Sequence, residues 1–133
     1  MSADPATYLD SSAIVKLAVV EPESAALRRY LSRRRVLVSS ALAKTEVARA
    51  LLPLGDPAVR RGHEVLARLE LIRVSERILS AAGALLPVEL RSLDAIHLAT
   101  AQQLGEDLAR LVTYDARMRT AAQNAGCPVA APR

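Results

Sequence analysis

Near its amino terminus the chain reads Ala6-Thr7-Tyr8-Leu9-Asp10-Ser11-Ser12-Ala13-Ile14-Val15-Lys16-Leu17, changing from an apolar run to a helical pattern without a break. Residues 6–10 are predicted to form a β-strand and residues 11–20 a short helix. Strands that lead directly into helices are typical of α/β proteins with largely parallel sheets. Such sheets bind ligands beyond the carboxyl ends of their strands, which is where Asp10 stands. The stretch therefore predicts an α/β fold with an acidic group at that edge of the sheet.

The same alternation of short apolar runs and helical periods continues along the chain. Further strands are predicted at residues 36–38, 71–74, 109–114 and 129–130. Further helices are predicted around Glu46 and at residues 23–34, 57–69, 76–86, 92–104 and 116–125. The helix around Glu46 is expected to be capped by Ser39 or Ser40, and the next two helices by Asp56 and Ser75. With 133 residues and no internal repeat, the chain fits a single domain over residues 1–133.

Composition limits the classes of protein that need to be considered. A hydrophobic fraction of 51% argues against disorder, and no stretch approaches the roughly 20 apolar residues of a membrane span. The first residues lack the basic and apolar segments of a secretory signal, so we expect a cytoplasmic protein. Cys127 is the single cysteine, which excludes an internal disulfide and a cysteine-built zinc site. We expect it to be a small buried residue.

The chain is basic, with a net charge of +4 and a sequence pI of about 9.8. Arginine carries most of the positive charge, and its guanidinium group matches phosphate oxygens. The run Arg33-Arg34-Arg35 is the densest basic patch and predicts either phosphate contact or a solvated helix end. Aromatic residues make up only 2% of the chain and all are tyrosines, which argues against a surface on which bases stack.

Four acidic residues stand at strand ends and near helix starts: Asp10, Glu46, Asp94 and Asp115. Each one alone has an ordinary explanation. Asp10 and Asp115 could cap the helices that follow them, and Asp94 could offset the dipole of the helix that it opens. These explanations stay open for each residue taken singly.

Taken together, the acids point to a metal site. Glu46 could pair with Lys44 or Arg49 on an exposed face, but both Glu46 and Asp94 are isolated charges in apolar segments. Burying an unpaired carboxylate costs several kcal/mol, so such residues normally have a partner or a ligand. Four like charges in one crevice also repel one another, and a divalent cation would offset that repulsion.

Two hydroxyl residues and two histidines complete the set of candidate residues. Ser12 follows the first acid by two positions and Thr113 precedes the last by two, so each could orient a carboxylate or cap a helix. His97 follows the third acid by about one helical turn. We expect His97 to be packed or at the surface, because a site built from oxygen ligands does not need it. His63 is expected to be exposed.

Three motifs resemble those of the PIN-domain family. The opening motif is the stretch from Tyr8 to Leu17 followed by Glu21-Pro22-Glu23-Ser24. The middle motif is Leu93-Asp94-Ala95-Ile96-His97-Leu98-Ala99-Thr100-Ala101, and the last is Val112-Thr113-Tyr114-Asp115-Ala116-Arg117-Met118. The motifs follow in the family's order over nearly the whole chain. Their wording and the length of the chain most resemble the VapC-type toxins of bacterial toxin–antitoxin pairs.

The resemblance implies a three-layer α/β/α fold with a short, mostly parallel central sheet. It also implies a Mg²⁺-dependent endoribonuclease, with Mn²⁺ as a possible substitute, whose metal-binding acids correspond to Asp10, Glu46, Asp94 and Asp115. Glu46 lies in the loosest of the matching motifs. The hydroxyl positions of the family correspond to Ser12 or Ser11 and to Thr113. Such toxins cleave cellular RNA and arrest growth, usually form dimers, and are inhibited by a small VapB-like antitoxin.

The expected chemistry divides the roles among these residues. Asp10 and Asp94 are the first choice as direct ligands of the ion, and the other two acids complete the site or hold a second ion. Lys16 and Arg117 are expected to hold phosphates that flank the scissile bond.

Two other functions stay open. In an aspartyl-phosphate enzyme Asp10 would be the nucleophile, although Ser12 stands where such enzymes usually place a second acid. In a PIN-like binding or scaffold module the acids would support no turnover.

Overall fold

The computed structural model describes residues 4–133, so Met1-Ser2-Ala3, on which the expected absence of a secretory signal partly rests, lie outside the described residues. Within the described part there are five strands: β1 (Ala6–Leu9), β2 (Val36–Ser40), β3 (Glu70–Ile72), β4 (Leu108–Val112) and β5 (Val129–Ala130). The same part contains seven α-helices: α1 (Ser11–Ala18), α2 (Ser24–Leu31), α3 (Ala43–Leu51), α4 (Asp56–Leu66), α5 (Glu76–Gly83), α6 (Ser92–Gln102) and α7 (Ala116–Asn124). Short 3-10 turns occupy Leu52–Leu54 and Gly105–Asp107.

The strands form one parallel sheet in the order β3-β2-β1-β4-β5, with β1 at its centre. Tyr8 in β1 pairs with Val38 on one side and with Leu111 on the other. Parallel strands need crossover connections, and helices supply them here. All the strands therefore end at the same side of the sheet, which we call the carboxyl edge.

Helices cover both faces of the sheet and give it two hydrophobic cores. Neighbouring residues of a strand point to opposite faces, so Leu9 packs with α1 to α4 and Tyr8 with α6 and α7. Helix α5 packs against α6 on the same side as Tyr8. This arrangement confirms the predicted three-layer α/β/α fold, and every strand pair in the described residues is parallel.

The expected serine cap of the helix around Glu46 is wrong. Ser39 and Ser40 are the last two residues of β2. The Ser39 hydroxyl donates to the carbonyl oxygen of Leu9 at 2.6 Å, and the Ser40 hydroxyl accepts from the Leu42 amide at 3.1 Å. Helix α3 begins at Ala43 with no side-chain cap. The two serines serve the sheet because β1 and β3 lie on either side of them.

Other predicted boundaries are correct to within a few residues. Ser75 caps α5 as expected, whereas Gly55, with a φ of 94°, takes the capping position that was predicted for Asp56. Strand β4 ends at Val112, earlier than predicted, because the Thr113 hydroxyl then donates to Asp10 and the Tyr114 amide donates to the Ser12 hydroxyl. Cys127 is buried in the core beside α7, as predicted. None of the helices within residues 4–133 has the length and apolar character that crossing a membrane demands.

Helix α4 approaches α3 closely at Gly62, and this contact generates a prediction about stability. A Cβ at position 62 would lie 2.6 Å from Leu51 Cδ1 and 3.1 Å from Val47 Cγ1, and both of these side chains are fully buried. Overpacking costs about 1–3 kcal/mol, while replacing glycine in a helix gains about 1 kcal/mol. We expect Gly62→Ala to lower the free energy of unfolding by about 1 kcal/mol, measured by urea denaturation. Gly83→Ala is the control, since no atom lies within 4 Å of its added Cβ, and a Gly62→Ala variant as stable as the parent would contradict the close packing.

Candidate active site

Asp10 is the most enclosed of the acids, with 4% of its surface exposed. Its Oδ1 accepts from the Ser12 hydroxyl at 2.6 Å and from the Ala13 amide at 3.1 Å, and its Oδ2 accepts from the Thr113 hydroxyl. Burial raises the pKa of Asp10, and the hydrogen bonds from Ser12 and Thr113 offset that shift only in part. Asp10 is thus both the cap of α1 and an oriented carboxylate.

The end of β4 is tied to the same group. The Tyr114 amide donates to the Ser12 hydroxyl at 3.0 Å, and the Asp115 amide donates to the Thr113 hydroxyl at 3.2 Å. Asp115 caps α7 by accepting from the Met118 amide at 2.8 Å. Thr113 therefore orients the carboxylate of the first acid, although it is nearer in sequence to the last.

Glu46 reaches the site from the first turn of α3. Its Oε1 lies 2.6 Å from His97 Nε2 and accepts from the Ser11 hydroxyl at 2.6 Å. The alternative of an exposed ion pair with Lys44 or Arg49 is therefore wrong. Burial raises the pKa of Glu46, but the hydrogen bonds from His97 and Ser11 outweigh it, so the net shift is downward.

His97 and Tyr8 are two residues whose contribution the sequence did not reveal. The His97 side chain is 1% exposed, its Nδ1 lies 2.7 Å from the Tyr8 hydroxyl, and the two rings meet edge to face. The expectation that His97 would be packed or at the surface was correct about its burial and missed its contact with Glu46. One signal was available, because His97 shares a helix with Asp94 and follows it by about one turn.

Asp94 lies in the first turn of α6 and is half-buried. Burial raises its pKa first, and the negative charges of Asp115, Asp10 and Glu46 raise it further. No side-chain hydrogen bond to Asp94 occurs among residues 4–133. The repulsion shows that acids from four different parts of the chain lie within electrostatic reach of one another at the carboxyl edge.

The acids suit a hard divalent cation by their chemistry, since carboxylate oxygens are the donors that Mg²⁺ prefers. Among residues 4–133, no three Asp, Glu, His or Cys side chains are placed to hold one ion as they stand. Mg²⁺ does not require such a group, because it usually takes one or two carboxylates together with water and phosphate oxygens. The residues present therefore fit such an ion, and the repulsion on Asp94 is the feature that a cation would relieve.

The basic residues singled out from the sequence differ in their distance from the acids and in what they contact. The ammonium of Lys16 is already 2.8 Å from Glu23 and 3.3 Å from Glu21. The run of arginines at residues 33–35 precedes β2 and so lies at the opposite edge of the sheet from the acids. Arg117, in contrast, is exposed in the first turn of α7 at the carboxyl edge.

The fold and this acidic group define a class of protein, and the comparisons agree on it. The family model described as PIN domain matches residues 7–124, and the chain therefore belongs to the PIN domain family. Ribonuclease VapC46 of Mycobacterium tuberculosis is 65% identical over 127 residues, which cover 96% of this chain and 98% of that protein. Ribonuclease VapC35 of the same species is 46% identical over 132 residues, covering 94% and 96% respectively.

Solved structures share the fold. The crystal structure of Mycobacterium tuberculosis VapC20, a sarcin-ricin loop cleaving toxin, superposes with a TM-score of 0.73 at 16% identity and covers 86% of this chain and 94% of its own. A toxin–antitoxin complex from Klebsiella pneumoniae superposes with a TM-score of 0.70 at 22% identity, with coverage of 96% and 98%. At these identities the likeness shows the fold alone.

The repulsion on Asp94 generates a prediction about stability. Because the folded state raises the pKa of Asp94, its charge destabilises the protein above that pKa, and the penalty disappears as the pH falls toward the unfolded value. We expect Asp94→Asn to raise the Tm of the metal-free protein by about 2–4 °C at pH 7, and by less near pH 4, in a thermal scan with EDTA. Asp107→Asn, at an exposed position beyond the opposite edge, should leave the Tm unchanged. A lower Tm for Asp94→Asn at pH 7 would show that the acids do not repel one another.

Proposed function

We propose that this protein is a metal-dependent endoribonuclease, the toxin of a VapBC-type toxin–antitoxin pair, which hydrolyses phosphodiester bonds of cellular RNA in the cytoplasm and thereby arrests growth. The observation that carries the proposal is that Asp10, Glu46, Asp94 and Asp115 each cap a helix or lie in its first turn at the carboxyl edge, where the charges of the other three raise the pKa of Asp94. Relatives support the proposal, because proteins that are up to 65% identical over nearly the whole chain carry the name ribonuclease.

In this proposal Asp10 and Asp94 bind the ion, and Glu46 and Asp115 complete the site. Mg²⁺ is the proposed ion, with Mn²⁺ as a possible substitute. When bound, a divalent cation supplies an activated water and offsets the negative charge that develops on the phosphate. The number of ions is open in this proposal.

The chain's own residues set up the site before any ligand arrives. Ser12 and Thr113 hold the two oxygens of Asp10 from opposite sides, so the carboxylate keeps one orientation. Asp94 accepts no side-chain hydrogen bond within residues 4–133, and the other acids raise its pKa, so a cation would relieve that repulsion. Asp10 thus offers the cation a carboxylate of fixed orientation, and Asp94 offers it a negative charge that is not yet compensated by a hydrogen bond.

One residue argues against the aspartyl-phosphate alternative. Ser12 stands where such enzymes usually place a second acid, and its hydroxyl donates to Asp10 Oδ1 at 2.6 Å. The remaining alternative, a PIN-like scaffold without turnover, differs from the proposal in a single measurable property, RNA cleavage.

Phosphates that flank the scissile bond are proposed to contact Arg117. The guanidinium is exposed at the carboxyl edge, where it can bind two phosphate oxygens at once. Lys16 was expected to share this task, but its ammonium already contacts two glutamates, so the proposal gives it a lesser part.

Two protein partners belong to the same proposal. We propose that the protein forms a homodimer and that a small VapB-like antitoxin covers its acidic crevice. Exposed apolar residues available for such contacts include Leu52, Leu54, Leu86 and Val88. A monomer in sedimentation velocity would contradict the proposed dimer. Unaffected growth of cells that express the folded protein without an antitoxin would contradict the proposed role as a toxin.

The central prediction is that purified protein cleaves RNA in the presence of Mn²⁺ or Mg²⁺ and that EDTA abolishes the cleavage. Asp10→Asn and Asp94→Asn should each lower the rate by at least about 100-fold, because each removes a charged ligand of the ion. The measurement is the initial rate of cleavage of a fluorescently labelled RNA. Asp94→Asn is the cleaner variant, since within residues 4–133 the Asp94 side chain takes part in no hydrogen bond, whereas Asp10 caps α1.

Asp107→Asn serves as the matched control, because it removes one carboxylate of the same kind far from the carboxyl edge. It should cleave like the parent protein. Parent-like cleavage by both Asp10→Asn and Asp94→Asn would attribute the activity to a contaminant and sink the proposed site. Folded, metal-loaded parent protein that cleaves no RNA would favour the scaffold alternative.

Arg117→Ala is predicted to raise the KM for RNA several-fold while kcat stays close to that of the parent. Loss of one phosphate contact should also reduce the slope of log KM against log salt by about 0.7–1. The measurement is steady-state cleavage at several salt concentrations. Arg35→Ala, at an arginine that is 85% exposed at the opposite edge, should change neither quantity. Equal effects of the two substitutions would show that RNA does not approach along the carboxyl edge at Arg117.

A further inference from the structure

A buried histidine connects the central strand of the sheet to Glu46. His97 contacts the Tyr8 hydroxyl through Nδ1 at 2.7 Å and Glu46 Oε1 through Nε2 at 2.6 Å. Ser11 donates to the same oxygen of Glu46 at 2.6 Å. The glutamate belongs to α3 and its two partners belong to α6 and α1, so three helices meet at this carboxylate, and β1 is linked to it through His97.

The direction of these hydrogen bonds follows from the carboxylate of Glu46, whose oxygens only accept, so His97 Nε2 carries a proton and donates it to Oε1. In the neutral imidazole Nδ1 then accepts from the Tyr8 hydroxyl. A doubly protonated ring would donate from Nε2 as well. The contact with Glu46 therefore does not depend on a change in the charge of His97.

Both contacts fall on one oxygen of the carboxylate. Oε1 of Glu46 receives His97 and Ser11, while Oε2 receives no hydrogen bond from the part of the chain that the structure describes. Oε2 is also accessible to solvent, because within residues 4–133 the only buried side-chain oxygen or nitrogen that lacks a partner is the hydroxyl oxygen of Tyr30. The protein thus holds one oxygen of Glu46 and leaves the other available to a ligand.

A glutamate needs such support at this position. Its side chain has several rotatable bonds, and ordering them costs roughly 1–2 kcal/mol. Helix α3 has no side-chain cap at its start, and the neighbouring Lys44 and Thr45 are exposed, so the helix itself does not hold the carboxylate. The partners from α6 and α1 supply that order instead.

We propose that His97 is a positioning residue for the metal site: anchored by Tyr8, it holds Glu46 Oε1 and so presents Glu46 Oε2 to the cation. The inference rests on the proposed function and adds to it a residue that binds neither the ion nor RNA. A purely structural histidine would fill space between α6 and β1, and its loss would affect stability without acting through Glu46. The two roles differ in how the effect depends on Glu46 and on the N–H donor.

The experiment measures Mn²⁺ affinity by isothermal titration calorimetry in the absence of RNA. His97→Leu should weaken Mn²⁺ binding by about 10–100-fold, the usual effect of removing a residue that orients a metal ligand. His97→Gln restores an N–H donor near the position of Nε2 and should recover most of that affinity. His63→Gln is the matched control at the other histidine, which is exposed, and should bind Mn²⁺ like the parent.

A double-mutant cycle with Glu46→Gln identifies the route of the effect. If His97 acts through Glu46, then His97→Leu should cause little further loss of Mn²⁺ affinity once Glu46 is replaced. An equally large loss in that background, or parent-like affinity of His97→Leu itself, overturns the inference. Should His97→Leu fail to fold, Tyr8→Phe takes its place in the same cycle, since it removes only the hydroxyl that anchors the ring.

A measurement on the metal-free protein tests the hydrogen bonds directly. The chain contains only two histidines, so ¹H–¹⁵N spectra of the rings are simple to assign. His97 should carry its proton on Nε2, and a ring protonated only on Nδ1 overturns the inference. RNA cleavage by a parent protein whose Mn²⁺ affinity is insensitive to His97→Leu overturns the inference alone. A parent protein that neither binds Mn²⁺ nor cleaves RNA overturns the proposed function together with it.

Discussion

The buried carboxylate of Asp10 is the group around which the carboxyl edge is organised. Burying a charge is costly unless donors surround it, and here they come from two sides. Ser12 and Ala13 donate from the first turn of α1, and Thr113 donates from the end of β4. The Tyr114 amide binds the Ser12 hydroxyl in turn. Satisfying one anion therefore fixes the relative positions of two neighbouring strand ends and one helix, and the other acids are placed with respect to that junction.

The protein keeps a net positive charge and an acidic centre by separating the two in space. The arginines at residues 33–35 lie beyond the amino ends of the strands, and the ammonium of Lys16 contacts Glu21 and Glu23. Neither neutralises the acids at the carboxyl edge. Within residues 4–133, His97 offsets only part of the repulsion that raises the pKa of Asp94. Unfavourable interactions of this kind are expected at a functional site, where some stability of the folded protein is lost in favour of ligand binding.

The parts of the fold that were predictable are those in which a residue acts on its immediate neighbours. Asp10, Ser75 and Asp115 each cap the helix that follows. The serine cap of α3 was mispredicted because capping preference and strand pairing compete, and pairing on both sides of β2 prevailed. The four acids were predicted as site residues from their settings in the sequence, whereas the contacts of His97 with Glu46 and Tyr8 were not predicted.

Local chemistry settled where strands and helices form, which carboxylates stand at their junctions, and that those carboxylates needed a partner. Only the folded chain decided which partners they have. Glu46 and His97 are 51 residues apart and Tyr8 and His97 are 89 apart, so neither contact leaves a periodic or neighbouring signal in the sequence. The order of the strands brings His97 on α6 close to the carboxylate of Glu46 on α3. A hydrogen bond between them requires a distance of about 3 Å, which no pattern of residue types specifies.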